Sequence, residues 1–311
     1  MSEYICNDCP RRCGVVRSQY YTPHAPMAGY CHTSLQPVVA RAALHFWEEP
    51  CISGTRGSGT VFFTSCNLRC CFCQNASIST GGTGIPITVD RLREIYGDLI
   101  AQGAHNINLV TPTPYTWAVR QSLEQPLPVP VVYNCGGYEA PETIDALRGK
   151  VQIYLPDLKY MDSALAKRYS GAADYPQAAA EAILRMYDQV GPYELDDDGI
   201  LQKGVIIRHL ILPGCVENTK AVIDWVRSHF ADGQVLFSLR LSRNRPLPHR
   251  RRVRRSRTVP LRQRHRRRLR PGKRQRQRNL HSQLLRRRRA EIEKNIIFKR
   301  PTSSISLYCI Y

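Results

Sequence analysis

The sequence predicts an α/β chain built on a parallel sheet and followed by a strongly basic tail. Three observations predict it. Six short apolar runs rich in β-branched and aromatic residues recur between residues 61 and 239, stretches of helical spacing separate them, and beyond residue 239 both signals give way to arginine.

The runs begin at Val61 (VFFT), Asn106 (NINLVT), Val129 (VPVVYNC), Val151 (VQIYLP), Gly204 (GVIIRHLIL) and Gln234 (QVLFSL). Continuous apolar character suits strands buried on both faces, as in parallel sheets. Between them, Thr88 is placed to N-cap a helix whose Leu92, Ile95, Tyr96, Leu99 and Ile100 recur at helical spacing, with Gly103 to end it. Further helices are expected over residues 113–123, 142–147, 176–190 and 217–230, with Pro176 in a first turn, where a missing N–H costs nothing. Strands alternating with helices imply right-handed crossovers. Periodicity alone leaves a doubly wound sheet and a partial barrel both open.

The formal net charge of +20 is not spread along the 311 residues. Residues 240–300 hold 26 Lys and Arg against Glu291 and Glu293, so the rest, with 19 basic and 23 acidic residues, is mildly acidic. The whole-chain charge therefore describes the tail and not the body. The amino terminus, Met-Ser-Glu-Tyr-Ile-Cys, has neither a basic start nor an apolar stretch, and no apolar run is long enough to span a membrane. Twelve cysteines, clustered in a chain without a secretion signal, read as metal ligands in a reducing cytoplasm rather than as a disulfide framework.

Directly after the first run, Cys66-x3-Cys70-x2-Cys73 places three thiols on one loop. Four-iron clusters are usually held by four thiolates, so three leave one iron open, which is what a catalytic centre needs and a closed structural site lacks. A structural zinc site is the alternative, but the spacing is not a usual zinc spacing and no fourth ligand adjoins it. Cys71, between two of these ligands, is expected to pack nearby.

The segment RAALHFWEEPCISGTRGSGTVFFTSCNLRCCFCQN (41–75), followed in order by NINLVTPTPY, PVVYNCGGYE, YLPDLKY and RHLILPG, resembles the radical S-adenosylmethionine (radical SAM) proteins, in particular the pyruvate formate-lyase activating enzyme homologues. The resemblance covers roughly residues 5–239. It implies a (βα)6 partial TIM barrel over residues 49–239, with a [4Fe–4S] cluster on Cys66, Cys70 and Cys73 at the C-terminal end of the strands. It further implies that S-adenosylmethionine (SAM) binds the open iron and is cleaved reductively to a 5′-deoxyadenosyl radical, the cofactors supplying the chemistry. Phe72 matches an aromatic near the adenine, with simple core packing as its alternative. Val110-Thr111-Pro112-Thr113 stands where the family has Gly-Gly-Glu, which moves the expected SAM contact to backbone carbonyls and Thr111. Asn134, Gly136 and Tyr138 resemble positions lining the SAM pocket, although Cys135 replaces an expected threonine. Asp157 and Lys159 either orient SAM or substrate or form a structural ion pair. His209, alone in an apolar run, reads as a satisfied core residue.

Residues 1–48 read as a Cys-rich, irregular segment. Cys6, Cys9, Cys13 and Cys31 supply four thiols there, enough for zinc or for a second iron–sulfur cluster, with a structural metal favoured because the segment has no core of its own. Residues 240–311 read as a disordered tail, since the Arg-rich stretch offers little apolar surface to offset chain entropy. It lacks aromatics and any nucleic-acid-binding pattern, so no specific nucleic acid is expected. Translation in a shifted frame explains it better: residues 279–284 back-translated and read one base later give Thr-Tyr-Ile-Pro-Asn, similar to the family's Ile-Pro-x-Phe ending. The functions that follow are a glycyl-radical activase served by a flavodoxin or ferredoxin, a radical SAM enzyme acting on a small molecule or another macromolecule, and a non-catalytic zinc- and nucleic-acid-binding protein.

Overall fold

A computed structural model of the chain describes residues 4–22, 29–241 and 307–310. All six expected strands form, as β2 (Ser58–Phe63), β4 (Ile107–Val110), β5 (Val131–Cys135), β6 (Ile153–Pro156), β8 (Leu201–Ile211) and β9 (Leu236–Leu241). They lie in the sheet in the order in which they occur in the chain, and each pairs in parallel with the next. A doubly wound sheet reverses its strand order at a switch point. Here no reversal occurs, so the sheet is wound in one direction.

Four strands were not anticipated. β1 (Val38–His45) runs antiparallel beside β2, and β3 (Ile85–Pro86) beside β1, while β7 (Glu194–Leu195) pairs with β8. β1 lies within the segment expected to be irregular through residue 48: Val38 and Val39 are buried, and its later residues are half-exposed like those of an outer strand. β10 (Leu307–Ile310) pairs in parallel with β9. The 240–311 tail therefore differs from its expectation at both ends, since β9 runs on to Leu241 and residues 307–310 form a strand. The rest of the tail, including residues 279–284, lies outside the described residues.

The expected helices appear as α3 (Val89–Ala101), α4 (Thr116–Ser122), α5 (Pro141–Asp145), α7 (Tyr175–Val190) and α8 (Val216–His229), joined by α1 (Pro50–Ser53), α2 (Ala76–Ser79) and α6 (Ser163–Ser170). Thr88 caps α3 by accepting from the Arg91 N–H, and Pro176 sits in the first turn of α7. Asp162 accepts from the N–H groups of Ala164 and Leu165 to cap α6.

Alternation along each strand separates two faces. One carries Val61, Leu109, Tyr133, Tyr154, Ile207 and Phe237 against the long helices, in the larger core. On the opposite face Val132, Ile153, Leu155, Ile206 and Leu236 pack on Cys51 and Ile52 of α1. That second core reaches no farther than Val132 on β5, Leu155 on β6, Ile206 on β8 and Leu236 on β9. Farther along, the same face turns polar with Asn134, Arg208, Ser238 and Arg240.

His209 is buried as the sequence suggested. Its Nδ1–H donates to the Leu158 carbonyl at 2.7 Å, and Nε2 lies 3.0 Å from the Thr219 hydroxyl, from which a neutral ring accepts. Burial lowers its pKa from 6.5 to about 4. The unfolded chain thus takes up a proton that the folded chain refuses, so stability present above pH 6.5 is lost as pH falls toward 4. Denaturant titrations at pH 7.5 and 4.5 should show this loss, about 2–3 kcal/mol from this one group, and His209→Gln should flatten it. Asp162→Ala should cost about 1 kcal/mol by removing the α6 cap, read by the same titration at neutral pH.

Candidate active site

The three-cysteine loop leaves β2 at its C-terminal end and turns through two left-handed positions, Ser65 (φ 76°) and Arg69 (φ 50°). Non-glycine residues hold such angles only where their surroundings over-determine them, at about 1–3 kcal/mol each. The surroundings are explicit. The Ser65 N–H donates to Ile78, the Cys71 N–H to Tyr169, and the Cys73 N–H to Cys70. The Asn67 side-chain amide donates to the Tyr138 carbonyl at 2.6 Å. Leu68 is buried beneath the loop, where a Cβ on Gly136 would stand 2.8 Å from its Cδ1. Gly136, expected to line a SAM pocket, thus makes room for the loop itself.

Each thiol has a neighbour. Ser170 Oγ donates to Cys70 Sγ at 3.0 Å, Ser79 Oγ to Cys73 Sγ at 3.4 Å, and the Leu68 N–H to Cys66 Sγ at 3.4 Å. Burial pushes the Cys66 thiol up to about 12, and Cys70 and Cys73 add to that rise. Burial also raises Cys70, against the pull of Lys159. The eleven cysteines with described side chains are all free thiols. Among the described residues, no three His, Cys, Asp or Glu side chains already stand as a metal-holding group. Phe72 packs edge-on against Tyr160 and Tyr169, with centroids 6.5 and 6.2 Å away, the arrangement of its core-packing alternative.

Facing this loop is a charge network of which the sequence disclosed only the Asp157–Lys159 pair. Arg208 on β8 reaches Glu48 at 3.1 Å, Asp157 at 3.0 Å and Asn134 Oδ1 at 2.5 Å. Asn134 in turn donates to Glu48, and Arg240 spans Glu48 at 3.1 Å and Glu49 at 2.8 Å. Ser238 donates to Glu49, and Lys159 pairs with Asp157. Burial would raise Asp157, but Arg208 and Lys159 outweigh it and hold the carboxyl at about 2. Burial and neighbouring Glu48 raise Glu49. Asn108, fully buried on the same sheet, has neither amide atom paired within the protein.

The structure therefore joins Asn134, Asp157 and Lys159, with Thr111 (φ 59°) beside them through its N–H bond to the Asn134 carbonyl. It does not bring Tyr138 to that group. Tyr138 belongs to the helix-side core, stacks on Tyr175 and donates to Asp174. At the adjoining turn, Gly137 (φ 77°) lets the chain approach the Asp157 carbonyl, which a Cβ there would meet at 2.2 Å. Glu48, Glu49, Arg208 and Arg240 were missed. The available signal was Arg208 itself, a cation inside the apolar run GVIIRHLIL, which demands a buried partner.

The N-terminal cysteines lie against this same loop. Residues 4–6 and 15–17 form two antiparallel arms, closed by the Cys6 N–H to Val15 and the Gly14 N–H to Cys6. The turn carrying Cys31 folds onto them: the Tyr30 N–H donates to Cys13 Sγ at 3.4 Å, and buried Arg17 donates to Cys31 Sγ at 3.2 Å and the Pro114 carbonyl at 2.6 Å. Arg11 docks the segment, donating to the carbonyls of Asn67, Ser170 and Gly171 while its guanidinium stacks 3.9 Å over Tyr30. Asn67 stands between the two cysteine groups. Its Oδ1 is 4.0 Å from Cys66 Sγ and its carbonyl accepts from Arg11, while burial raises the Cys9 thiol to about 12.

No protein-family model matches the chain. An uncharacterized protein of Methanocaldococcus jannaschii is 26% identical over 241 residues, which are 74% of this chain and 64% of that protein. The chain thus spans less than two thirds of that relative's length. Among solved structures, Streptococcus suis SuiB bound to S-adenosylmethionine is similar with a TM-score of 0.41 and 15% identity, covering 57% of this chain and 38% of SuiB. SuiB bound to the precursor peptide SuiA gives a TM-score of 0.40 and 15% identity over 57% and 37% of the two chains.

Proposed function

We propose that the chain is a radical SAM enzyme on a (βα)6 partial barrel, in which Cys66, Cys70 and Cys73 hold a [4Fe–4S] cluster with one iron left for SAM. The observation that carries this reading is the loop: three free thiols at the C-terminal end of a parallel strand, turned through two left-handed residues and each met by a hydrogen-bond donor. The donor set fits such a group in kind, being all sulfur and open to a fourth ligand. When bound, the cluster and SAM supply one-electron cleavage to methionine and a hydrogen-abstracting 5′-deoxyadenosyl radical.

The protein's share is orientation and exclusion of water. Ser170 and Ser79 aim hydroxyls at two ligand sulfurs. Asp157, Lys159 and Asn134, fixed by Arg208, would offer charged and amide groups to the amino-carboxylate end of SAM, with Thr111 beside them. Phe72, Leu68 and Tyr160 form an apolar wall on the loop's buried side. The hydrogen donor is a glycine of a partner glycyl radical enzyme, and a flavodoxin or ferredoxin supplies the electron. Among the described residues no helix is long and apolar enough to cross a membrane.

The test is SAM cleavage by the anaerobically reconstituted protein under dithionite, followed as 5′-deoxyadenosine and methionine. Alanine at Cys66, Cys70 or Cys73 should bring product to background, whereas Cys71→Ala should retain it. Deoxyadenosine formation surviving in Cys70→Ala refutes the assignment. Ser170→Ala should cost about tenfold to a hundredfold in cluster affinity or activity, as losing a ligand's supporting hydrogen bond commonly does.

A further inference from the structure

The sequence leaves the N-terminal thiols between zinc and a cluster and favours a structural metal; their position favours the other choice. Cys6 and Cys9 are buried, Cys13 accepts from the Tyr30 N–H, and Cys31 accepts from a guanidinium that is itself only 6% exposed. A buried arginine with no carboxylate salt bridge among the described residues, spending one N–H on a thiol, is a counter-charge for thiolates. Among the described residues no three of these thiols already close into a ligand set, as in sites that their metal completes. Either metal would account for these features.

What separates them is Asn67. Its side chain meets Cys66 and its carbonyl accepts from Arg11 of the N-terminal segment, while the Tyr30–Leu68 hydrogen bond clamps the two loops together. A structural metal needs only to close its own segment. A centre that exchanges electrons needs this nearness to another. We propose that Cys6, Cys9, Cys13 and Cys31 hold a second, redox-active iron–sulfur centre, in contact with the 66–73 loop through Asn67. Each centre takes up one electron from a one-electron reductant, and no bond forms or breaks.

The contact rests on the reading of Cys66, Cys70 and Cys73 given above, but the N-terminal centre can be measured without them. Full-length protein reconstituted anaerobically with iron and sulfide should hold about eight of each per chain. The triple variant Cys66→Ala/Cys70→Ala/Cys73→Ala should keep about four, and so should Cys9→Ser. After dithionite reduction, the wild-type electron paramagnetic resonance spectrum should be broadened by interaction between two centres, and both variants should give a single unbroadened signal. Arg17→Lys should leave the iron content unchanged and lower the midpoint potential of the N-terminal centre, because it withdraws the hydrogen bond on Cys31 Sγ and such bonds help set that potential.

About one zinc per chain in the isolated protein, with no iron in the triple variant, overturns the proposal. Two centres without magnetic interaction overturn the contact. Should Cys9→Ser fail to fold, metal analysis of the wild type and the triple variant still decides. A triple variant that keeps its iron while the wild type cleaves no SAM removes the proposed function and leaves this centre standing.

Discussion

The requirement that Arg208 be paired governs the polar half of the sheet. A guanidinium in the middle of a strand, with a side chain 12% exposed, is tolerated only if carboxylates and amide oxygens come to it. Three segments answer: Asn134 from β5, Asp157 from the end of β6, and Glu48 from the turn ahead of α1. Pulling Glu48 inward carries Glu49 with it and lays α1 across the sheet, where Ile52 seals the apolar half. A few ion pairs thus decide where the enclosed face stops being a core and becomes a site. Replacing them with apolar residues would suit stability at least as well, so their presence bears on function more than on folding.

The second organising contact is Arg11. Its three carbonyl partners belong to the cysteine loop and to the end of α6, and one of them, Ser170, supplies the hydroxyl on Cys70. The N-terminal segment is therefore not an appendage. It is one wall of the loop that carries the three thiols, and it bonds through Arg17, Thr33 and Asp8 to the helices that follow β4 and β5.

Much of this was legible in the sequence wherever the information is local. A buried parallel strand is a run of apolar residues, and all six runs became strands. The three thiols on one loop, the cap at Thr88 and the isolated His209 were equally readable. β1 was not, because VVARAALH mixes buried, half-exposed and exposed positions with neither a continuous apolar run nor a strict alternation. Nor was α6, whose eight residues are too few for a clear period. The charge network was invisible for a different reason. Apart from the Asp157–Lys159 pair, its partners are 51 to 192 residues apart, and only the winding of the sheet makes neighbours of them. Tyr138, which resembles a position lining the SAM pocket, lies with the helix-side core instead of with Asn134, because the chain turns at Gly137 between them.

Arg240 sets a boundary of another kind. It is the last cation of the network along the chain, and it holds both Glu48 and Glu49. A genetic lesion that altered the protein even a few codons before it would strip these acids of a counter-ion and strike the body of the molecule. The same lesion a few codons later would leave every charge pair described here intact. The point at which the composition turns to arginine lies just beyond that boundary, where a change of frame does the least harm to what precedes it.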